Sequence, residues 1–372
     1  MRVSNDVLLK KIDLVVNKLM NLGAPEVEGD LSDKNTQEKG MIVRDFGIQE
    51  WDWPQGVGLY GLMKLEEHTK DGRFDEFLKN WYETNLEIGL PSRNINTTAP
   101  YLPLVDLLDK WNDPKYEKLC LDRVDWLMKR LPRTDEGVFQ HVTSAIGDRQ
   151  GVRLNENEMW IDTLFMTVLF LNKMGQRYNR QDWIDEGIYQ VKKHIQYLCD
   201  EKTGLFYHGY TFDAKNNFGG IFWCRGNCWF TFGIIDYIEA FHGTMDPELK
   251  DLLVSKFKAQ VDALVKLQAE DGLWHTVLTD DTSYEEVSGT AGITAGILKG
   301  IKLGILTDPI YKECADKAVN AICDNVADDG TVLNVSGGTG MGYDADHYKN
   351  IIIAPMAYGQ SLALVALTEA LQ

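Results

Sequence analysis

The chain is short of positive charge, of long apolar runs and of cysteines at framework spacing, and each shortage excludes a class of protein. Its 372 residues carry 38 Lys and Arg against 56 Asp and Glu, a formal net charge of -18. A nucleic-acid partner needs a basic footprint to meet the phosphate backbone, so none is expected. No stretch reaches the ~18 apolar residues of a membrane span, and the start, MRVSNDVLLKK, lacks a signal peptide's apolar run. The expectation is a cytoplasmic protein with no membrane partner. The six cysteines are scattered, and at this chain length they do not read as a disulfide framework. Cys224 and Cys228 share a helix face, but no second Cys/His pair stands at ligand spacing. Buried, reduced thiols are therefore predicted over a zinc site. No Pro/Ser-rich linker or low-complexity run divides the sequence, which points to one domain over residues 1–372. Nothing in it sets the oligomeric state.

What is present is a repeat. Gly137-Val138-Phe139, Gly204-Leu205-Phe206 and Gly272-Leu273-Trp274 stand 67 and 68 residues apart, and a weaker copy, Gly330-Thr331-Val332, follows after 58. Glycine there suits a left-handed, helix-ending turn. Six amphipathic patterns with a charged face are read at Asn5–Leu22, Phe74–Leu86, Lys115–Arg130, Gln181–Cys199, Pro247–Gln268 and Pro309–Val326. They alternate with six patterns that are apolar nearly all round: Gln55–Glu67, Thr97–Lys110, Trp160–Met174, Arg225–Phe241, Ser288–Gly304 and Met356–Leu371. A helix apolar on most sides is buried. The alternation predicts an all-α (α/α)6 barrel, with six inner and six outer helices and a few short strands at one rim.

The loops leading into the buried segments are rich in aromatic and polar residues. Trp51-Asp52-Trp53, Arg93-Asn94-Ile95-Asn96, Met159-Trp160-Ile161-Asp162, Trp223-Cys224-Arg225 and Asp344-Ala345-Asp346-His347-Tyr348-Lys349 all fall there. Flat rings cover the C–H face of a sugar while polar side chains bind its hydroxyls. A tryptophan at a helix start is more often packing than platform, but five such junctions at equivalent points favour a binding cup. Asp162, inside an apolar run, either caps a helix or serves as a general acid whose pKa is raised by desolvation. His208 is divided between a structural hydrogen bond and ligand contact. Arg225, at the start of a buried helix, needs an anion: a protein carboxylate or a substrate carboxylate.

At these residues the chain resembles the unsaturated rhamnogalacturonyl hydrolases of glycoside hydrolase family 105 and the related unsaturated glucuronyl hydrolases of family 88. The matching segments are Trp53-Pro54-Gln55-Gly56-Val57, Met159 to Met166, Thr203 to His208 and Phe222 to Trp229, with looser matches at Gly337 to Gly340 and Tyr358 to Ser361. The resemblance implies the (α/α)6 fold, no metal or organic cofactor, and a short oligosaccharide ending in a 4,5-unsaturated uronic acid. It implies Asp162 as acid/base and His208, Trp223, Arg225 and Trp229 as substrate contacts. Trp53 and Trp160 are expected beside them, with His347 at the rim and Lys349 helping Arg225 to neutralise the uronate. One departure stands out: where the family commonly has a second Asp, this chain has Asn96, which cannot act as a base. Either Asp162 makes both proton transfers or another carboxylate, Asp344 or Asp346, assists. The rival readings are a sugar epimerase (expected to present paired histidines), an inverting glycosidase, or a non-catalytic glycan binder.

Overall fold

Three of the charged-faced segments open on Asp-Pro. In a computed structural model of the chain, which describes residues 2–23, 47–146 and 148–371, each Asp caps the helix that its Pro begins. Asp113, Asp246 and Asp308 accept the N–H of Lys115, Leu249 and Ile310 at 2.9–3.0 Å. Proline at the first helical position forfeits only an N–H that would have no partner within the helix. Among the described residues the outer helices are α1 (Asn5–Met20), α3 (Asp75–Ile88), α5 (Pro114–Lys129), α7 (Gln181–Leu198), α9 (Pro247–Leu267) and α11 (Pro309–Asp324). The inner helices are α2 (Trp53–Thr69), α4 (Tyr101–Trp111), α6 (Leu169–Tyr178), α8 (Cys224–Glu239), α10 (Val287–Lys302) and α13 (Ala357–Ala370). Each inner helix packs on the next, and α13 returns to α2, so the inner ring closes on itself. The predicted (α/α)6 barrel is the observed fold.

Two inner segments start differently from the expectation. The second starts as a 3-10 turn, Asn96–Thr98, ahead of α4: Ala99 keeps helical angles, but Pro100 has no N–H to donate back to Asn96, whose carbonyl accepts from Ala99 instead. The third begins as strand Glu158–Trp160 and enters α6 through a π-turn, Leu164–Val168, two residues after Asp162. Three two-stranded antiparallel ribbons line the rim: β1 (Thr143–Ser144) with β2 (Val152–Arg153), β3 (Glu158–Trp160) with β4 (Gly209–Thr211), and β5 (Trp274–His275) with β6 (Glu285–Glu286).

The repeated glycines explain how the outer ring is spaced. Gly137, Gly204, Gly272 and Gly330 all have positive φ, at +73°, +79°, +101° and +84°. They sit in tight turns several residues beyond the helix ends, donating their N–H back to Thr134, Asp200, Ala269 and Ala327, and do not cap the helices themselves. The last three turns lie against the backbone of the next outer helix. A Cβ would fall 2.7 Å from the Ala259 carbonyl at Gly204 and 2.6 Å from the Lys317 carbonyl at Gly272; at Gly330 it would collide with the Leu14 carbonyl of α1. The final turn thus ties the end of the chain to its first helix. Gly330→Ala combines left-handed strain with that collision and is expected to lower the unfolding free energy by roughly 2 kcal/mol or more. A denaturant midpoint equal to that of the parent would contradict this.

Between α8 and α10 the small residues permit close approach. A Cβ at Gly292 would lie 2.7 Å from Sγ of Cys228, and one at Gly289 would meet Sγ of Cys224. The two thiols expected on one helix face are buried, unbridged and wedged into that crossing. At the far ends of these helices Lys299 pairs with Asp236 and Glu239. Burial pushes the Asp236 carboxyl up, but the Lys299 and Lys64 ammonium groups and hydrogen bonds from Lys299 and Tyr60 together bring it down to about 2.

Candidate active site

A cavity of about 610 Å³ opens at the N-terminal ends of the inner helices. Its lining includes Asp52, Trp53, Asn96, His141, Trp160, Asp162, Trp223, Arg225 and His347. Asp162 lies at its base, with a side chain 16% exposed. Its Oδ2 is 3.3 Å from Nε2 of His208, a close contact short of hydrogen-bond geometry, and neither atom has a hydrogen-bond partner among the described residues. The strand pair β3–β4 sets this geometry: Trp160 pairs with Gly209, and the Ile161 N–H donates to the His208 carbonyl. Two consecutive links of backbone therefore hold the acid and the histidine side by side.

The expected upward shift of the Asp162 pKa is not what the surroundings produce. Burial does push it up, but contact with His208, with the guanidinium of Arg225 nearby, outweighs burial and holds the carboxyl below its ordinary value. His141 stacks on Trp160 with ring centres 4.1 Å apart, and its Nδ1 lies 2.9 Å from Oγ1 of Thr163. Burial drives its pKa down to about 3, so it is neutral at any physiological pH.

Arg225 is 1% exposed. Its Nη1 and Nη2 donate to the Ser336 and Gly337 carbonyls at 2.7 Å, and Nη1 also reaches Oγ of Ser288 at 3.3 Å. The guanidinium lies over the rings of Trp223 and Tyr358, 4.4 and 4.9 Å from their centres. No carboxylate among the described residues forms an ion pair with it, and its Nε–H is buried without a partner. Of the two expected anions, a protein carboxylate is thus not in contact.

The other sequence candidates divide. Trp53, Asn96, Trp160, Trp223 and His347 line the cavity. His208 stands behind Asp162. Trp229 is fully buried and packs edge-on to Trp53 at 6.2 Å, supporting the wall from behind. Lys349 lies outside the lining, held 2.5 Å from Asp280 and 3.0 Å from Thr282. Asp346 reaches the lining; Asp344 caps the short helix α12 (Ala345–Lys349) through the His347 N–H.

Sequence reasoning missed three ionisable groups of the lining. Asp52 reads in the sequence as one residue of a tryptophan motif; one oxygen caps α2 at Trp53 N, and the other accepts from Ser144 Oγ at 2.7 Å. Arg153, on β2, stands exposed at the rim. His141 was overlooked although the repeat could have found it: it follows Gly137 by four residues, as His208 follows Gly204.

A cup at helix N-termini, with indole walls, a deep carboxyl facing a histidine and a buried cation, is the architecture of a carbohydrate-active enzyme. Residues 32–372 match the model of Glycosyl Hydrolase Family 88, and the chain belongs to that family. It is 34% identical to the unsaturated rhamnogalacturonyl hydrolase YesR of Bacillus subtilis, over 89% of this chain and 93% of that protein. An unsaturated 3S-rhamnoglycuronyl hydrolase of Formosa agariphila is 28% identical over 77% of each chain. A Salmonella enterica structure, described as a possible member of family 105, superposes with a TM-score of 0.89 at 35% identity. That match covers 99% of this chain and 94% of the other.

Proposed function

We propose that this chain releases a 4,5-unsaturated uronic acid from the non-reducing end of short, lyase-generated oligosaccharides, with Asp162 as acid and base. The observation that carries the reading is one cavity containing both a buried carboxyl and a buried guanidinium with which no carboxylate among the described residues forms an ion pair. The relatives' activities support the same class of substrate. The unsaturated ring is a vinyl ether, and such a bond needs a proton donor at C4 and water at C5. Asp162 gives its proton to C4, and the positive charge develops at C5 and the ring oxygen. Water adds to C5 and returns a proton to the Asp162 carboxylate. The C5 hemiketal opens to a ketone, leaving a hemiacetal at C1 that collapses to an aldehyde and expels the neighbouring sugar as its alcohol. One water is consumed, one glycosidic bond breaks, and Asp162 ends as it began.

Arg225 takes the uronate, whose negative charge beside Asp162 raises the acid's pKa and prepares it to donate. Trp53, Trp160 and Trp223 stack on the sugar faces, and Asn96 and His347 meet hydroxyls. With an amide at position 96, both proton transfers fall to Asp162. The free thiols favour a reducing compartment, and we place the enzyme in the cytoplasm. Among the described residues no helix is long and apolar enough to cross a membrane.

The test is loss of the ultraviolet absorbance of the conjugated C4=C5 bond when purified protein meets a panel of unsaturated disaccharides. The relatives' names make a rhamnose-linked uronide the first to try. Consumption of the chromophore with release of the second sugar supports the reading; an unchanged chromophore across the panel overturns it. The histidines His141 and His208, both beside Trp160, are the one feature favouring an epimerase. An epimerase would alter the sugar without changing its mass, which the same assay followed by mass spectrometry distinguishes.

A further inference from the structure

Tyr348, on α12, is 1% exposed and belongs to a small apolar cluster with Trp223 and Val277. Its hydroxyl lies 2.8 Å from Nδ1 of His208, on the side of the imidazole away from Asp162. The hydroxyl oxygen already accepts the Gly342 N–H at 3.1 Å. A phenol has one proton to give, and two acceptors are in reach: Nδ1 at 2.8 Å and the Met341 sulfur at 3.9 Å. The nitrogen is the nearer and the stronger acceptor, so the proton points at Nδ1.

We infer that Tyr348 is a positioning residue: by donating to Nδ1 it holds His208 as the tautomer whose Nε2–H points at Asp162. The inference rests on the reading of Asp162 as the acid. With Nδ1 occupied by the tyrosine proton and Nε2 carrying its own hydrogen, the imidazole offers no free lone pair. A proton entering the pair then settles on the carboxylate, where C4 of the substrate can take it. After transfer, the same Nε2–H steadies the carboxylate until the water proton returns. Rings of Trp223 and Trp160, centred 4.4 and 5.3 Å from that of His208, keep the imidazole from turning over. Tyr348 also ties the acid to the substrate pocket, because residues Gly338 to Gly340 and Asn350 to Ile352, on either side of it in the chain, form part of the cavity wall.

The experiment is nitrogen NMR of the full chain labelled at its seven histidines, with His208 assigned by its loss in His208→Gln. At neutral pH the His208 ring is expected to show a protonated Nε2 and an unprotonated Nδ1. A protonated Nδ1, alone or in an imidazolium, overturns the proposal without reference to activity. In Tyr348→Phe the tautomer preference should be lost and kcat should fall about tenfold or more, with KM within about threefold of the parent. An unchanged tautomer or an unchanged kcat in a folded variant would contradict the role. Should Tyr348→Phe not fold, the parent spectrum still decides. A parent enzyme inactive on every unsaturated uronide would remove the reaction assigned to Asp162 and leave the tautomer result standing.

Discussion

Asp162→Asn is expected to lower kcat by about 10²- to 10⁴-fold, the range for removal of a general acid–base group, while substrate still binds. The amide keeps the shape and the contact with His208 but has no proton to give to C4 and no basic oxygen to receive one from water. KM should change little, because on the proposed reading recognition of the uronate rests on Arg225 and the indole walls. The thermal transition should remain cooperative and close to that of the parent. A pH signature goes with it. The free carboxyl is held below its ordinary value, and the incoming uronate raises it. The alkaline limb of kcat should therefore lie at higher pH than that of kcat/KM, because the first reports the complex and the second the free enzyme. Near-parental turnover in Asp162→Asn, or limbs in the reverse order, would sink the assignment.

Arg225→Lys is expected to reduce kcat/KM by about a hundredfold or more, since disrupting a buried charge contact costs roughly 2–5 kcal/mol. Lysine keeps the charge but not the planar fork. It cannot reach both the Ser336 and Gly337 carbonyls while lying flat between Trp223 and Tyr358. The Ser336 carbonyl would keep the Tyr358 hydroxyl, but at least one of the two guanidinium bonds would be lost, so stability should also fall. The effect on turnover is separable from that on folding by esterifying the uronate. A neutral ester should be a poor substrate for the parent, and Arg225→Lys should discriminate little between acid and ester. If the parent accepts acid and ester alike, Arg225 does not bind the carboxylate.

The barrel was legible because its signals are local. Charged faces, Asp-Pro starts and small-residue inner helices each declare themselves within one or two turns, and the order of helices follows the repeat. Asp162 and Arg225 were legible for a related reason: a charged residue inside an apolar run stands out in one dimension. What could not be read depends on neighbours distant in sequence. The pKa of Asp162 turns on contact with His208 and on the Arg225 guanidinium, 46 and 63 residues away, which help to overcome the burial that the local run suggests. Lys349 looked like a second cation for the uronate because it lies beside His347. Only the fold brings Asp280 to it from 69 residues upstream. Tyr348 read as one more aromatic in a polar loop, and nothing in its neighbourhood pointed to a histidine 140 residues earlier.

Where the water oxygen goes tests the central claim most directly. A single turnover in ¹⁸O-labelled water, quenched by rapid reduction before the carbonyls exchange, fixes the label's position in the released uronic acid. Protonation by Asp162 at C4 with hydration at C5 predicts the label on C5, and the glycosidic oxygen leaving with the neighbouring sugar. Label on C1 would mean attack at the anomeric carbon, and the account of Asp162 as a vinyl-ether acid would be wrong.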